Sequence, residues 1–466
     1  MNIKMKYFNL LFLTLTLSNT MAWAQAINHS QELSDLISKK KWFEIENYYQ
    51  QHKESIDSDF VKIWYFAETE NAFNRPYEAI STYEKLIDNI PLNMDKSTLA
   101  SLFGHSLQLC SDVQEYEKGE EFCQKIITVL EKNTAIDSDT RLSGIQTFTP
   151  LIERFKLLSK TFPKLTITKS EVDNTEKIKL IPDTLTSSNN ILFNAKWNGI
   201  ELLTEFDTGS GMGAYIYNRA IAEKIGVKLN AADTIIVNEG YELPMRCLAG
   251  VVDSLKIGDF NIKNVTVAVN IDAIDSIDSV QVECDSVAKS MYDIILGFSV
   301  IRQLGVIEFD FVKNTMSFPQ DTKTVNEKNL YIDKNVLFMN MKICDANFLS
   351  FFDTGGAGQG LLINTDFYEK HKQCISVESQ ATQDTIRVGN CNETSLKNRD
   401  IYKCPQIEVE INNQIITMKN DCNVSKNKEN NTLLGTVEGG YFGNSIFKYC
   451  KKATFDFDNM VFSVDK

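Results

Sequence analysis

The feature that most constrains this chain is an internal duplication. Asp207-Thr208-Gly209-Ser210 recurs 146 residues later as Asp353-Thr354-Gly355-Gly356. Each copy ends an apolar run, residues 202–206 and 348–352. A single Asp-Thr-Gly carries little information, because Asp and Gly are ordinary turn residues. The register, however, continues past the motif. Asn218 and Asn364 each stand 11 residues after their Asp, and Glu223-Lys224 overlays Glu369-Lys370. Ile295-Leu296-Gly297 overlays Tyr441-Phe442-Gly443, with 90 residues from Asp to Gly in both halves. Phe309-Asp310-Phe311 overlays Phe455-Asp456-Phe457. Upstream, Asn190-Ile191-Leu192-Phe193 matches Asn335-Val336-Leu337-Phe338 with a slip of one residue. The pattern predicts two similar half-structures, each delivering one acid from a strand end into a glycine turn. In both, the Asn is expected to cap a short helix, its side chain accepting from exposed N–H groups.

Outside the duplication the texture differs. Residues 25–162 carry apolar residues at helical spacing and little proline, which predicts helical hairpins. Within them Phe66-Ala67, Ala79, Tyr83, Leu86 and Pro91 stand at offsets that resemble a tetratricopeptide repeat. Ile45 precedes Ala79 by 34 residues, the period of that repeat, and a looser pair follows through Gly119 and Cys123. This region is read either as a docking groove for a protein partner or as a packed helical spacer. After Pro163, alternation in residues 165–168, 178–181, 265–269, 407–411 and 415–418 predicts strands. Gly258-Asp259 and Asn412-Asn413 read as hairpin turns. The expected domains are therefore residues 25–162, helical, then β lobes at 165–320 and 328–466.

Residues 1–24 have the layout of a secretory signal peptide. Lys4 and Lys6 precede an apolar run over residues 7–17, too short to span a membrane, and Ala22-Trp23-Ala24 supplies a small-x-small cleavage site. Export to the periplasm or beyond, as a soluble protein, is the expectation. Without that segment the chain holds 46 basic and 62 acidic residues, a net charge of −16, which repels nucleic acid and anionic membranes. The ten cysteines fit an oxidising compartment. They fall two, two and six along the chain: Cys110 and Cys123; Cys247 and Cys284; then Cys344, Cys374, Cys391, Cys404, Cys422 and Cys450. Even counts predict local disulfides, with connectivity left open. No metal or cofactor is expected. There is no C-x-x-C, and His29, His52, His105 and His371 lack ligand spacing. Nor is there the G-x-S-x-G of a serine hydrolase.

Two apolar-Asp-Thr-Gly motifs, each followed some 90 residues later by two apolar residues and Gly, resemble the aspartic proteases. The helix-like Asn218-Arg219-Ala220-Ile221-Ala222-Glu223-Lys224-Ile225-Gly226 after the first motif is most similar to the bacterial retropepsin-like branch. The resemblance covers residues 165–466. It implies a multidomain α plus all-β chain: helical hairpins, then two β-barrel lobes about a pseudo-twofold axis, with a cleft for an extended polypeptide. Tyr441-Phe442 is bulkier than the aliphatic pair usual in the family.

The resemblance implies an endopeptidase with Asp207 and Asp353 as the catalytic pair. Two close carboxyls cannot both ionise cheaply, so one can activate water while the other donates a proton. Thr208 and Thr354 are expected to bond across the dyad. Gly209 and Gly355 should bring N–H groups to the carboxyls, and Gly297 and Gly443 should leave room beneath the loops. The fourth positions differ. A Ser210 hydroxyl on Asp207 would favour its charged form, whereas Gly356 offers none, so Asp353 is expected to hold the proton. A covering hairpin is placed at residues 238–246, with Gly240 at its turn and Tyr241 toward substrate, and a weaker counterpart near Arg387-Val388-Gly389. The alternative function is a non-catalytic module that holds peptides in the same cleft.

Overall fold

The computed structural model describes residues 28–169, 177–182, 189–237, 245–270, 293–320, 327–356, 360–388, 395–426 and 439–466. The chain forms two compact units, one up to Tyr65 and one from Phe66 onward. In the first, helices His29–Ser38 and Trp42–His52 bury Leu33, Ile37, Trp42 and Ile45. Asn28 caps the first of these by accepting from the Gln31 N–H. Helix Asp59–Ala72 begins in this unit and ends in the second.

The second unit opens with four further helices, Pro76–Asp88, Lys96–Asp112, Tyr116–Lys132 and Ser138–Thr161. Their starts are written locally. Pro76 occupies the first turn, where its missing N–H costs nothing, and Asp95 and Asp137 accept from N–H groups of the turns they cap. Gly119 lets helix Tyr116–Lys132 approach Ser138–Thr161, because a Cβ there would collide with the Phe155 ring. None of the described helices is long and apolar enough to cross a membrane.

Two six-stranded β-barrels follow, the bilobal architecture that the duplication predicts. Around the first barrel the strands run Leu192–Trp197, Ile200–Phe206, Ile294–Leu296, Ala214–Ile216, Phe260–Asn270 and Met245–Ile257. Pairing of Trp197 with Leu255 closes the ring. The second barrel repeats the order with Val336–Ile343, Ala346–Phe352, Gly440–Phe442, Leu361–Ile363, Gln414–Ser425 and Ser395–Ile411, closed by Lys342 opposite Glu410. Parallel and antiparallel pairings match strand for strand. Tight turns sit where the sequence places them. Gly258 has φ +52°, and Asn412 and Asn413 have φ +45° and +65°, the left-handed values that two-residue hairpins need. Asn218 and Asn364 cap helices Arg219–Lys224 and Thr365–His371, accepting from the N–H groups of Ala220 and Phe367.

The lobes meet in a shared sheet. Val306–Asp310 pairs antiparallel with Lys452–Asp456, and Glu308 lies opposite Thr454, its own counterpart 146 residues on. A pseudo-twofold axis therefore passes through that pair. Beneath it Phe206, Phe309, Phe352, Phe455 and Phe462 form a buried aromatic cluster, with ring centroids 4.7–6.2 Å apart. Phe206 and Phe352 are the residues just before the two acids, so this cluster is the floor on which both loops rest.

Two expectations need correction. The ladder puts Phe193 opposite Thr204 and Met339 opposite Ser350, so the strand register keeps the 146-residue shift and Asn190 corresponds to Val336, without the slip. The cysteines are not all locally bridged. Cys344 and Cys374 form a disulfide across the second lobe, whereas Cys110, Cys123, Cys404, Cys422 and Cys450 are buried thiols. Cys284 and Cys391 lie outside the described residues.

Candidate active site

Asp207 and Asp353 each leave the end of a central strand, Ile200–Phe206 and Ala346–Phe352. The same bond anchors both: the Asp207 N–H donates to the Leu296 carbonyl at 3.1 Å and the Asp353 N–H to the Phe442 carbonyl at 3.0 Å. Parallel pairing with Ile294–Leu296 and Gly440–Phe442 thus fixes where each strand stops and its loop begins. The next residue locks one loop to the other. Thr208 Oγ1 donates to the Phe352 carbonyl (2.9 Å) and accepts from the Thr354 N–H (3.0 Å). Thr354 Oγ1 donates to the Phe206 carbonyl (3.0 Å) and accepts from the Thr208 N–H (2.9 Å). Both threonines are wholly buried, while both aspartates are only partly so.

The glycines bring backbone N–H groups onto the carboxyls. Gly209 N–H donates to Asp207 Oδ1 at 2.7 Å. Gly355 N–H donates to Asp353 Oδ1 at 2.9 Å and to Asp207 Oδ1 at 3.1 Å. A Cβ on Gly209 would overlap the Asp353 carboxyl, and one on Gly355 would overlap that of Asp207. The two side chains are themselves within hydrogen-bonding reach of each other, an arrangement that requires one proton between them. Burial pushes the Asp353 carboxyl above the ordinary carboxylate range. Hydrogen bonds from Tyr441, Asp207 and the Gly355 and Gly356 N–H groups pull against it.

Gly297 and Gly443 underlie the loops. Gly297 N–H donates to the Gly213 carbonyl (3.1 Å) and Gly443 N–H to the Gly360 carbonyl (3.0 Å). A Cβ on Gly297 would run into the Met212 carbonyl oxygen. Ser210 is buried, and its carbonyl accepts from the Phe298 N–H at 2.6 Å. Gly240 and Tyr241 lie outside the described residues, as does Gly389, although the strands on either side pair, Val237 with Met245 and Val388 with Ser395.

Five further contributors carry no site motif of their own. Tyr441 Oη donates to Asp353 Oδ2 at 2.9 Å; its bulk is visible in the sequence, but its partner is not. The two asparagines aligned upstream both reach the opposite lobe. Asn190 Oδ1 accepts from Asn444 Nδ2 (2.9 Å), and Asn335 Nδ2 donates to Ser299 Oγ (2.8 Å) and to the Gly211 carbonyl. Buried Arg302 donates to Asn335 Oδ1 at 3.2 Å, and Asn74, from the helical segment, donates to the Arg302 carbonyl at 2.8 Å. A continuous chain of polar contacts therefore runs from the helical segment to the loop after Asp207.

Among the described residues no cluster of His, Cys, Asp and Glu is arranged to hold a metal ion. No family model and no curated protein matches the chain. Among solved structures it is similar to a retropepsin-like aspartic protease from Rickettsia conorii, at 15% identity over 33% of this chain and 91% of that one, with a TM-score of 0.20.

Proposed function

We propose that this chain is an aspartic endopeptidase with Asp207 and Asp353 as its catalytic pair. The observation that carries this reading is the meeting of two Asp-Thr-Gly loops, one from each lobe, with reciprocal threonine bonds beneath carboxyls in mutual hydrogen-bonding reach. Asp207 carries the charge and takes a proton from water. The resulting hydroxide equivalent attacks the carbonyl carbon of a peptide bond, while Asp353 donates its proton to the carbonyl oxygen. In the collapse Asp207 passes its proton to the leaving nitrogen as the C–N bond breaks, and a hydroxyl of the gem-diol gives its proton to Asp353 as the C=O bond re-forms, so that the pair again holds one proton. Asp353 suits the donor role because burial favours its neutral form. The substrate is a polypeptide in extended conformation.

The surrounding organisation belongs to the same proposal. Residues 1–24 direct export to the periplasm or the exterior, and the helical, tetratricopeptide-like region serves to dock a protein partner or substrate, or else as a packed spacer. The 165–320 and 328–466 segments form the two halves of the catalytic unit.

Digestion of an unfolded protein by the mature chain between pH 3 and 8 tests the reading. Cleavage is expected from the wild type, none from Asp207→Asn or Asp353→Asn, and inhibition by a statine-type peptide. Equal cleavage by all three proteins would overturn the reading. Binding of the statine-type peptide without any cleavage would instead establish a peptide-holding module. Ser210→Ala separately tests the unequal sharing of the proton, and the acid limb of the pH–rate profile is expected to move upward.

A further inference from the structure

Two pseudo-equivalent positions have exchanged size between the lobes. In the first lobe, position 210 is Ser and position 295 is Ile; 146 residues on, position 356 is Gly and position 441 is Tyr. Ile295 is buried in an apolar cluster with Tyr215, Cys247 and Ala268. Tyr441 occupies the same strand position, paired with Phe351 as Ile295 is with Glu205, but its side chain runs up to the acid. A Cβ built on Gly356 would fall on the Tyr441 hydroxyl oxygen. The tyrosine therefore fits only because position 356 carries no side chain.

From this complementarity, and from the 2.9 Å bond between Tyr441 Oη and Asp353 Oδ2, we infer that Tyr441 is the positioning residue for the Asp353 carboxyl, with its hydroxyl standing in the place of the side chain that position 356 lacks. The inference rests on the peptidase reading for its catalytic meaning. Asp353 Oδ1 is held by the Gly355 N–H and Oδ2 by Tyr441, so both oxygens are fixed and the carboxyl cannot turn about its Cβ–Cγ bond. The Phe351 ring, with its centroid 5.6 Å from that of Tyr441, supports the phenol from the side. The second acid is thus reached by a hydroxyl from another strand, 88 residues away in sequence.

Tyr441→Phe keeps the ring and removes the bond. A donor to the charged carboxyl favours ionisation, so its removal raises the pH at which the pair loses its shared proton. The expected result is a fall in kcat of about tenfold with little change in KM, and a basic limb displaced upward by roughly half a unit or more. The double variant Gly356→Ser/Tyr441→Ile rebuilds the first-lobe pair, and should bring the basic limb back toward wild type and recover part of kcat. Unmoved limbs and kcat in Tyr441→Phe would overturn the inference, as would a double variant no closer to wild type than Tyr441→Phe.

A carbon-13 titration of the aspartate carboxyls, assigned with Asp353→Asn, separates this inference from the peptidase reading. If the wild type cleaves nothing, the peptidase reading fails, yet the Asp353 signal is still expected to titrate at higher pH in Tyr441→Phe. Identical titrations in the two proteins would overturn the role of Tyr441 whatever the activity.

Discussion

Thr208 and Thr354 each make, through one hydroxyl, two hydrogen bonds to the other's loop, at 2.9–3.0 Å and with no exposure to solvent. Replacing Thr208 by Val keeps the shape and leaves a buried N–H and a buried carbonyl without their partner. Unsatisfied groups of this kind cost about 1–3 kcal/mol each, so Thr208→Val is expected to destabilise by about 2–6 kcal/mol in urea unfolding. Because both threonines belong to one cage, the double variant Thr208→Val/Thr354→Val should cost less than the two single changes together. Strict additivity would show that the loops are not coupled through these side chains.

The approach of Gly209 and Gly355 to the carboxyls leads to a sharper contrast. Gly355→Ala pushes a methyl group into the Asp207 carboxyl and Gly209→Ala into that of Asp353. Both are expected to fold and to lose peptidase activity at least about a hundredfold, the scale of an ångström's misplacement at a reacting centre. Gly104→Ala is the control. It lies inside helix Lys96–Asp112 with open space around it, so it should leave activity alone and stabilise by up to ~1 kcal/mol. Full activity in Gly355→Ala would remove the glycine from the site.

Asp112, at the end of helix Lys96–Asp112, makes stability fall with rising pH. Burial pushes its carboxyl up to about 6, against the pull of Arg302 and of the Gln108 amide. A carboxyl raised in the folded state binds its proton more tightly there than in the unfolded chain. Its contribution is complete below the ordinary value of 3.8 and is lost as pH rises through about 6. The thermal midpoint of the wild type should therefore fall between pH 4 and 6 relative to that of Asp112→Asn. Asp112→Asn should flatten that interval, and an unchanged slope in the variant would assign the effect to other groups.

The Cys344–Cys374 disulfide closes a loop with a sequence separation of 30. On the chain-entropy argument such a cross-link contributes about 3–4 kcal/mol. Cys344→Ser/Cys374→Ser should lower unfolding free energy by roughly that amount. The dyad lies in the inter-lobe loops rather than in this connection, so cleavage of unfolded protein below the melting range should persist. A loss much smaller than ~1 kcal/mol would mean that the loop is already ordered without the bond.

Much of the fold is legible in the sequence because its signals are local. Asn218 and Asn364 act on N–H groups two or three residues away, and Asn412-Asn413 adopts left-handed angles that asparagine tolerates by itself. Helical and alternating patterns separate the first third of the chain from the lobes for the same reason. Where the sequence reading slipped, at Asn190 and Asn335, composition was confused with register. The two asparagines resemble each other in reaching the opposite lobe, yet Asn190 stands two residues before its strand and Asn335 one residue before its own.

The sequence by itself determined that the chain is built twice, that each half ends a strand in Asp-Thr-Gly, and that the two copies differ at Ser210 and Gly356. A duplication is written along the chain and survives reading in one dimension. Only the tertiary structure decided what the difference means. The Tyr441 hydroxyl reaches Asp353 because parallel pairing sets strand Gly440–Phe442 beside strand Ala346–Phe352. The cross-lobe threonine bonds and the Asn74–Arg302–Asn335 contacts arise in the same way. Each joins groups far apart in sequence, and no local rule of spacing can specify which distant group will fill a place that a glycine leaves open.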